Sequence, residues 1–114
     1  MGHVGRVRLL GIDSPEIGLG LETPAPFAVE ARHRLTALLH GRYIRLESDG
    51  EKTDKYGRRL AYVFRDDGLF VNAEMLRNGL ARVNARWRMR RLGELRAAER
   101  SAIAARRGIW GRWP

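Results

Sequence analysis

The apolar residues of this chain occur in short runs of only a few residues, separated by glycines, prolines and charged turn segments. None of these runs approaches the roughly 20 apolar residues that cross a bilayer, so we predict a soluble protein with no membrane partner. The 114 residues are enough to bury one core. We therefore expect one domain that spans residues 1–114.

Five short segments carry strand signals. Branched and aromatic residues bounded by turn-forming residues predict strands at 6–12, 42–48, 59–65, 69–71 and 81–83. The third and fourth of these segments are joined by Asp66, Asp67 and Gly68, a strong hairpin signal. Strands of this length, interleaved with helices, favour an α+β fold that is mainly a small β barrel.

Three segments carry helix signals. An apolar stripe predicts a helix from about Phe27 to His40, which ends at a glycine. Asn72 is a candidate N-cap for a second, short helix. A third helix is predicted from Gly93 to Arg107, with Gly108 as its stop. The barrel is therefore expected to carry three helices.

The charge balance indicates a polyanionic partner. The chain has 22 basic and 13 acidic residues, a net charge of +9, and such a surface attracts nucleic acid. A soluble basic protein with no nucleic-acid partner would account for the charge equally well. The chain contains no cysteine, which excludes disulfides and thiolate zinc sites but leaves the redox compartment open.

One segment gathers residues that suit phosphate chemistry. Arg8, Asp13 and Glu16 surround the end of the first predicted strand. Asp13 and the Ser14 carbonyl offer hard oxygen ligands for calcium or magnesium, and Glu16 is able to orient or deprotonate a water. Arg58 adds a second guanidinium, and two guanidiniums stabilise the charge that develops on a phosphate. Together these residues indicate phosphodiester hydrolysis.

Taken one at a time, the same residues have simpler explanations. Asp13 and Glu16 are also ordinary turn and surface residues, and Arg8 and Arg58 are also ordinary surface cations in so basic a chain. The joint pattern is what favours the functional interpretation.

That joint pattern resembles the staphylococcal-nuclease-like (thermonuclease) domain. The resemblance covers nearly the whole chain in order, and it is carried by residues 8–16, Glu30 and Ala31, residues 53–63, Asn72, residues 79–83 and residues 108–110. It implies an OB-like five-stranded barrel with three helices.

The resemblance also implies an activity, which is calcium-dependent cleavage of DNA and RNA with little sequence preference. Arg8 and Arg58 would then bind and stabilise the scissile phosphate. Asp13 and the Ser14 carbonyl would hold Ca²⁺, and Glu16 would activate or position the attacking water.

Three further positions match substrate contacts of the family. Lys55 and Tyr56 correspond to residues that contact the terminal phosphate and the nucleotide, and Tyr56 is equally compatible with a packing role. Trp87 lies where the family places an aromatic beside the nucleotide, where it would stack on a base. A lid over the core is the alternative for Trp87.

The chain departs from the family pattern at two places. Ser14 replaces the usual threonine, a mild change because the ligand there is a backbone oxygen. Nothing in Met1–Gly5 supplies the aspartate that the family carries on its first strand pair. We therefore expect the N-terminal strands to be missing and the calcium site to be incomplete, with weaker binding of a hard dication.

An absent strand pair would leave an unpaired edge beside the strand at 6–12. Three interpretations follow: a fragment of a working nuclease, a homodimer joined through that edge, or a catalytically impaired nucleic-acid-binding module. The first is favoured. The cellular compartment stays unknown, although members of the family are often secreted or associated with the cell envelope.

Overall fold

The computed structural model describes residues 6–15, 25–85 and 88–111. These residues form five strands, three α-helices and one 3₁₀ turn. In chain order they are β1 (Val7–Leu9), β2 (Ile12–Asp13), α1 (Ala28–Leu39), β3 (Ile44–Glu47), β4 (Arg59–Arg65), α2 (Val71–Arg77), β5 (Arg82–Val83), α3 (Leu92–Ala105) and the 3₁₀ turn Gly108–Trp110. The three predicted helices are confirmed.

The strands form two sheets. In the larger sheet, β4 lies in the middle, parallel to β1 and antiparallel to β3. The smaller sheet pairs β2 with β5 in antiparallel register, with Ile12 opposite Val83 and Asp13 opposite Arg82. Across the described ranges both sheets are open, so the closed barrel stays a prediction.

The strand predicted at residues 6–12 is broken in two by a turn at Leu10 and Gly11. Gly11 has φ 80°, a left-handed conformation that interrupts extended backbone. A Cβ at this position would lie 2.4 Å from Cδ1 of the buried Leu95, so α3 approaches the turn closely. Because of this break, β1 pairs with β4 whereas β2 leaves that sheet and pairs with β5.

Two predictions around the start of α2 are wrong. Residues 69–71 do not form a strand, because only one bridge links Phe70 to Phe64 and α2 already begins at Val71. Asn72 does not cap the helix. Its side chain is buried, where it accepts a hydrogen bond from the Val63 N–H at 2.9 Å and donates to the Leu10 carbonyl at 2.9 Å. A buried amide must satisfy its polar groups, and here it does so by joining α2 to β4 and the turn.

The core lies where α2 packs between β4 and α3. Its largest fully buried side chains include Tyr62, Met75, Leu76 and Leu95. No helix in the described part of the chain is long and apolar enough to span a membrane. Of the candidate site residues, Arg8 lies on β1, which pairs with β4, and Arg58 directly precedes β4.

Candidate active site

Arg8 is anchored by the turn that follows its own strand. Its Nη1 donates to the carbonyls of Leu9 and Ile12 at 2.8 and 2.7 Å, and its Nη2 forms an ion pair with Asp13. Three acceptors on the two sides of the turn at Leu10 and Gly11 therefore fix a long and flexible side chain. The turn brings the Ile12 carbonyl and the Asp13 carboxylate within reach of Arg8.

Asp13 ends β2, and its carboxylate has a different partner on each oxygen. Oδ1 is paired with Arg8, and Oδ2 accepts a hydrogen bond from Nδ2 of Asn84 at 2.7 Å. The side chain is 55% exposed, so it stays open to solvent between these contacts.

Arg58 is anchored in a similar way by a loop carboxylate. Asp54 Oδ1 accepts the backbone N–H groups of Tyr56 and Arg58, each at 2.9 Å, and Oδ2 accepts Nε of Arg58 at 2.7 Å. Partial burial acts to raise the pKa of Asp54, but the hydrogen bonds from Arg58 and Tyr56 outweigh it, and the pKa is lowered. Asp54 therefore stays ionised at neutral pH and holds the loop and its arginine together.

The two arginines face one pocket. A cavity of about 90 Å³ is lined by both guanidinium-bearing residues together with Asp54, Leu60 and Asn84. The structure thus brings together Arg8 and Arg58, which are 50 positions apart in the sequence. Each guanidinium is held by a carboxylate, Arg8 by Asp13 through Nη2 and Arg58 by Asp54 through Nε, and the remaining N–H groups can donate to an anion in the pocket.

A wider cleft continues from Arg58 towards Lys55 and Tyr56. Its volume is about 680 Å³, and it also reaches Leu60. Tyr56 is 60% exposed, so it lies outside the hydrophobic core. Lys55 Nζ and Arg58 Cζ lie 5.2 and 5.5 Å from its centroid, so two cations flank an exposed aromatic face.

Not all predicted site residues are brought together. Asp13 and Ser14 line a separate cavity of about 390 Å³ on the side of Arg82. Within the described part of the chain, Asp13 is connected to the arginine pocket through its contacts with Arg8 and Asn84. Glu16 and Trp87 lie outside the described residues.

The described residues are a partial match for a calcium ion. Asp13 and the Ser14 carbonyl are oxygen donors of the type that calcium prefers, but calcium takes six to eight of them. Within residues 6–15, 25–85 and 88–111, no three acidic, histidine or cysteine side chains cluster in a way that would hold a metal. The described residues therefore supply suitable oxygen donors, but fewer of them than a calcium site requires.

Two residues of this region were not predicted. Asp54 carries a recognisable signal, since an aspartate before a glycine-containing turn often accepts the next backbone N–H groups. Asn84 carries none, because its contact with Asp13 depends on how β5 pairs with β2.

A small mixed fold with two anchored arginines at one pocket defines a candidate phosphate-binding domain. Comparison with known proteins is more specific. A family model described as "Staphylococcal nuclease homologue" matches residues 6–112. The chain therefore belongs to the staphylococcal nuclease family, whose fold is OB-like, and the predicted resemblance is confirmed.

Several relatives carry nuclease names. The chain is 41% identical to the thermonuclease of Staphylococcus intermedius over 81 residues, which cover 71% of this chain and 48% of that protein. It is 33% identical over 118 residues to endonuclease YncB of Bacillus subtilis (strain 168), covering 97% of this chain and 54% of that protein. The chain therefore spans about half the length of these two relatives.

Proposed function

We propose that this domain is a nuclease that hydrolyses the phosphodiester bonds of DNA and RNA with little sequence preference. The observation that carries the proposal is the pocket shared by Arg8 and Arg58. Membership of a family with relatives named thermonuclease and endonuclease supports the same reaction class.

In this proposal the two arginines clamp the scissile phosphate. Asp54 occupies Nε of Arg58, which leaves the two Nη groups to donate to phosphate oxygens. Arg8, on β1, binds the same phosphate, and its orientation is fixed by hydrogen bonds to the Leu9 and Ile12 carbonyls. Because both side chains are already held, little reorganisation is needed as negative charge grows on the phosphate in the transition state.

The remaining roles are assigned by family resemblance. Glu16 is proposed to position or deprotonate the attacking water. Asp13 and the Ser14 carbonyl are proposed to hold Ca²⁺, with other oxygens from water, the substrate or residues outside the described ranges. A bound calcium ion would supply positive charge beside the phosphate. Lys55 and Tyr56 are proposed to bind the neighbouring nucleotide, and Trp87 to stack on a base.

Cleavage of single-stranded DNA and of RNA tests the proposal. The wild-type protein with calcium should release short products from both substrates, and a chelator should stop the reaction. Arg58→Ala should lower kcat by about 100-fold or more, the usual cost of losing one donor to a transition-state oxyanion. Arg96→Ala is a matched control, because it removes the same charge from an exposed position on α3.

Absence of cleavage by folded wild-type protein in excess calcium would contradict the proposal. The second candidate is then a catalytically impaired nucleic-acid-binding module. It is favoured by the engagement of both Asp13 oxygens with Arg8 and Asn84 and by the small number of described donors. It predicts binding that weakens with salt and that does not require calcium.

A further inference from the structure

Among the described residues, Asn84 and Arg8 both connect Asp13 to the arginine pocket. Asn84 lines the pocket with Arg8 and Arg58, and its side chain donates to Asp13. We propose that Asn84 is a positioning residue, which holds Asp13 and, through it, Arg8 in the orientation that binds the phosphate. This inference rests on the proposed nuclease function and adds to it a residue that the sequence comparison does not assign.

The backbone places Asn84 firmly. It directly follows β5, and its N–H donates to the Gly11 carbonyl at 2.7 Å, which extends the β2–β5 pairing by one position. Since Asp13 pairs with Arg82, residue 84 is the diagonal neighbour of Asp13 on the same face of the sheet. The asparagine side chain therefore reaches the carboxylate from a fixed point.

The contacts form a chain from β5 to the phosphate clamp. Asn84 Nδ2 donates to Oδ2 of Asp13 at 2.7 Å, and Oδ1 of Asp13 pairs with Arg8. With both oxygens engaged, the carboxylate has one favoured orientation. Among the described residues, Oδ2 has no other hydrogen-bonding partner, so removal of the amide frees the carboxylate to rotate into solvent.

Without the Asn84 amide, Arg8 loses one of the three contacts that hold its side chain. Its Nη1 keeps the two backbone carbonyls, while Asp13 is the partner of its Nη2 among the described residues. Because the guanidinium is planar and rigid, loss of the Nη2 contact allows the whole group to tilt about the contacts that Nη1 keeps. A misdirected donor weakens stabilisation of the transition state more than it weakens ground-state binding, which is dominated by the overall charge.

A double-mutant cycle tests this inference. Asn84→Ala should lower kcat about tenfold, the size expected for a lost hydrogen bond to a charged group, with KM within about twofold of wild type. In the Asp13→Ala background, Asn84→Ala should cause no further loss, because it acts through Asp13. Equal losses in both backgrounds would overturn the proposal, since they would mean that Asn84 acts independently.

Asn78→Ala is the matched control. Asn78 also uses its side-chain amide, which accepts from Arg34 and donates to Glu74, but it follows α2 and does not line the pocket. It should leave kcat unchanged. An equal decrease in Asn78→Ala and Asn84→Ala would overturn the positioning role in favour of a general effect on the fold.

A second readout separates this inference from the proposed function. If the wild-type protein does not cleave, the nuclease proposal fails, and the positioning role is judged by NMR of the Arg8 side-chain N–H signals. Asn84→Ala should accelerate their exchange with water about fivefold or more, whereas Asn78→Ala should leave it unchanged. Identical Arg8 exchange in wild type and Asn84→Ala would overturn the inference.

Discussion

The ion pair between Glu47 and Arg91 allows a quantitative prediction about stability. Glu47 ends β3, and its two oxygens accept Nε and Nη2 of Arg91 at 2.6 and 2.9 Å. The Arg91 guanidinium also lies 4.8 Å from the centroid of the Phe64 ring. The side chains of Glu47 and Arg91 are only 18% and 26% exposed. The pair therefore ties the segment before α3 to the sheet.

The hydrogen bonds from Arg91 lower the pKa of Glu47 from 4.5 to about 2. A shift of this size corresponds to at most about 3 kcal/mol of stability. Partial hydration and screening reduce the expected value to about 1–2 kcal/mol. Because the pKa is lower in the folded state, this contribution is complete above about pH 4.5 and is lost as the pH falls towards 2.

Glu47→Gln should therefore lower the free energy of unfolding by about 1–2 kcal/mol at pH 7, measured by urea titration at several pH values. The difference from wild type should shrink as the pH falls below 4.5. Glu94→Gln is the control, because Glu94 pairs with the same arginine but is 54% exposed, and it should cost less than about 0.5 kcal/mol. Equal stability of Glu47→Gln and wild type at pH 7, or a difference that does not change with pH, would show that the ionised Glu47–Arg91 pair does not stabilise the fold.

Two further predictions concern glycine conformation and the Arg58 loop. Gly79→Ala should lower the free energy of unfolding in urea by at least about 3 kcal/mol, because its Cβ would lie 2.1 Å from the Arg107 carbonyl oxygen. Gly41 also has a left-handed backbone, with φ 69°, but its surroundings are open, so Gly41→Ala should cost only about 1–2 kcal/mol. Similar costs for the two variants would contradict the steric argument. Asp54→Asn should lower kcat about tenfold with little change in the unfolding midpoint, because it weakens the contact that orients Arg58. A kcat equal to that of wild type would exclude a role for Asp54 in orienting Arg58.

The sequence predicted those elements whose signals are local. The ends of α1 and α3 follow from apolar stripes that stop at glycine, and both helices lie within two residues of the predicted bounds. The family followed from ordered motifs along most of the chain, and the family match confirms it. The catalytic roles of Arg8, Glu16 and Arg58 are still predictions, and the structure adds that the two arginines share a pocket.

The rest depended on tertiary contacts that no local pattern encodes. The strand at 6–12 breaks at Gly11 because α3 packs against the turn and because β5 offers β2 a second partner. Asn72 has the composition of a helix cap, but burial against β4 directs its amide to Val63 and Leu10 instead. Asn84 became visible as a site residue only once the β2–β5 register was known.

In the proposed mechanism, Arg58 binds the scissile phosphate through its fixed guanidinium and not through charge alone. Arg58→Lys tests it most directly, because the net charge is unchanged while the planar, forked donor is lost. We predict that kcat on single-stranded DNA falls about 100-fold with KM within about twofold, and that Arg96→Lys on α3 has no effect. A kcat for Arg58→Lys equal to that of wild type would show that positive charge alone is sufficient at this position.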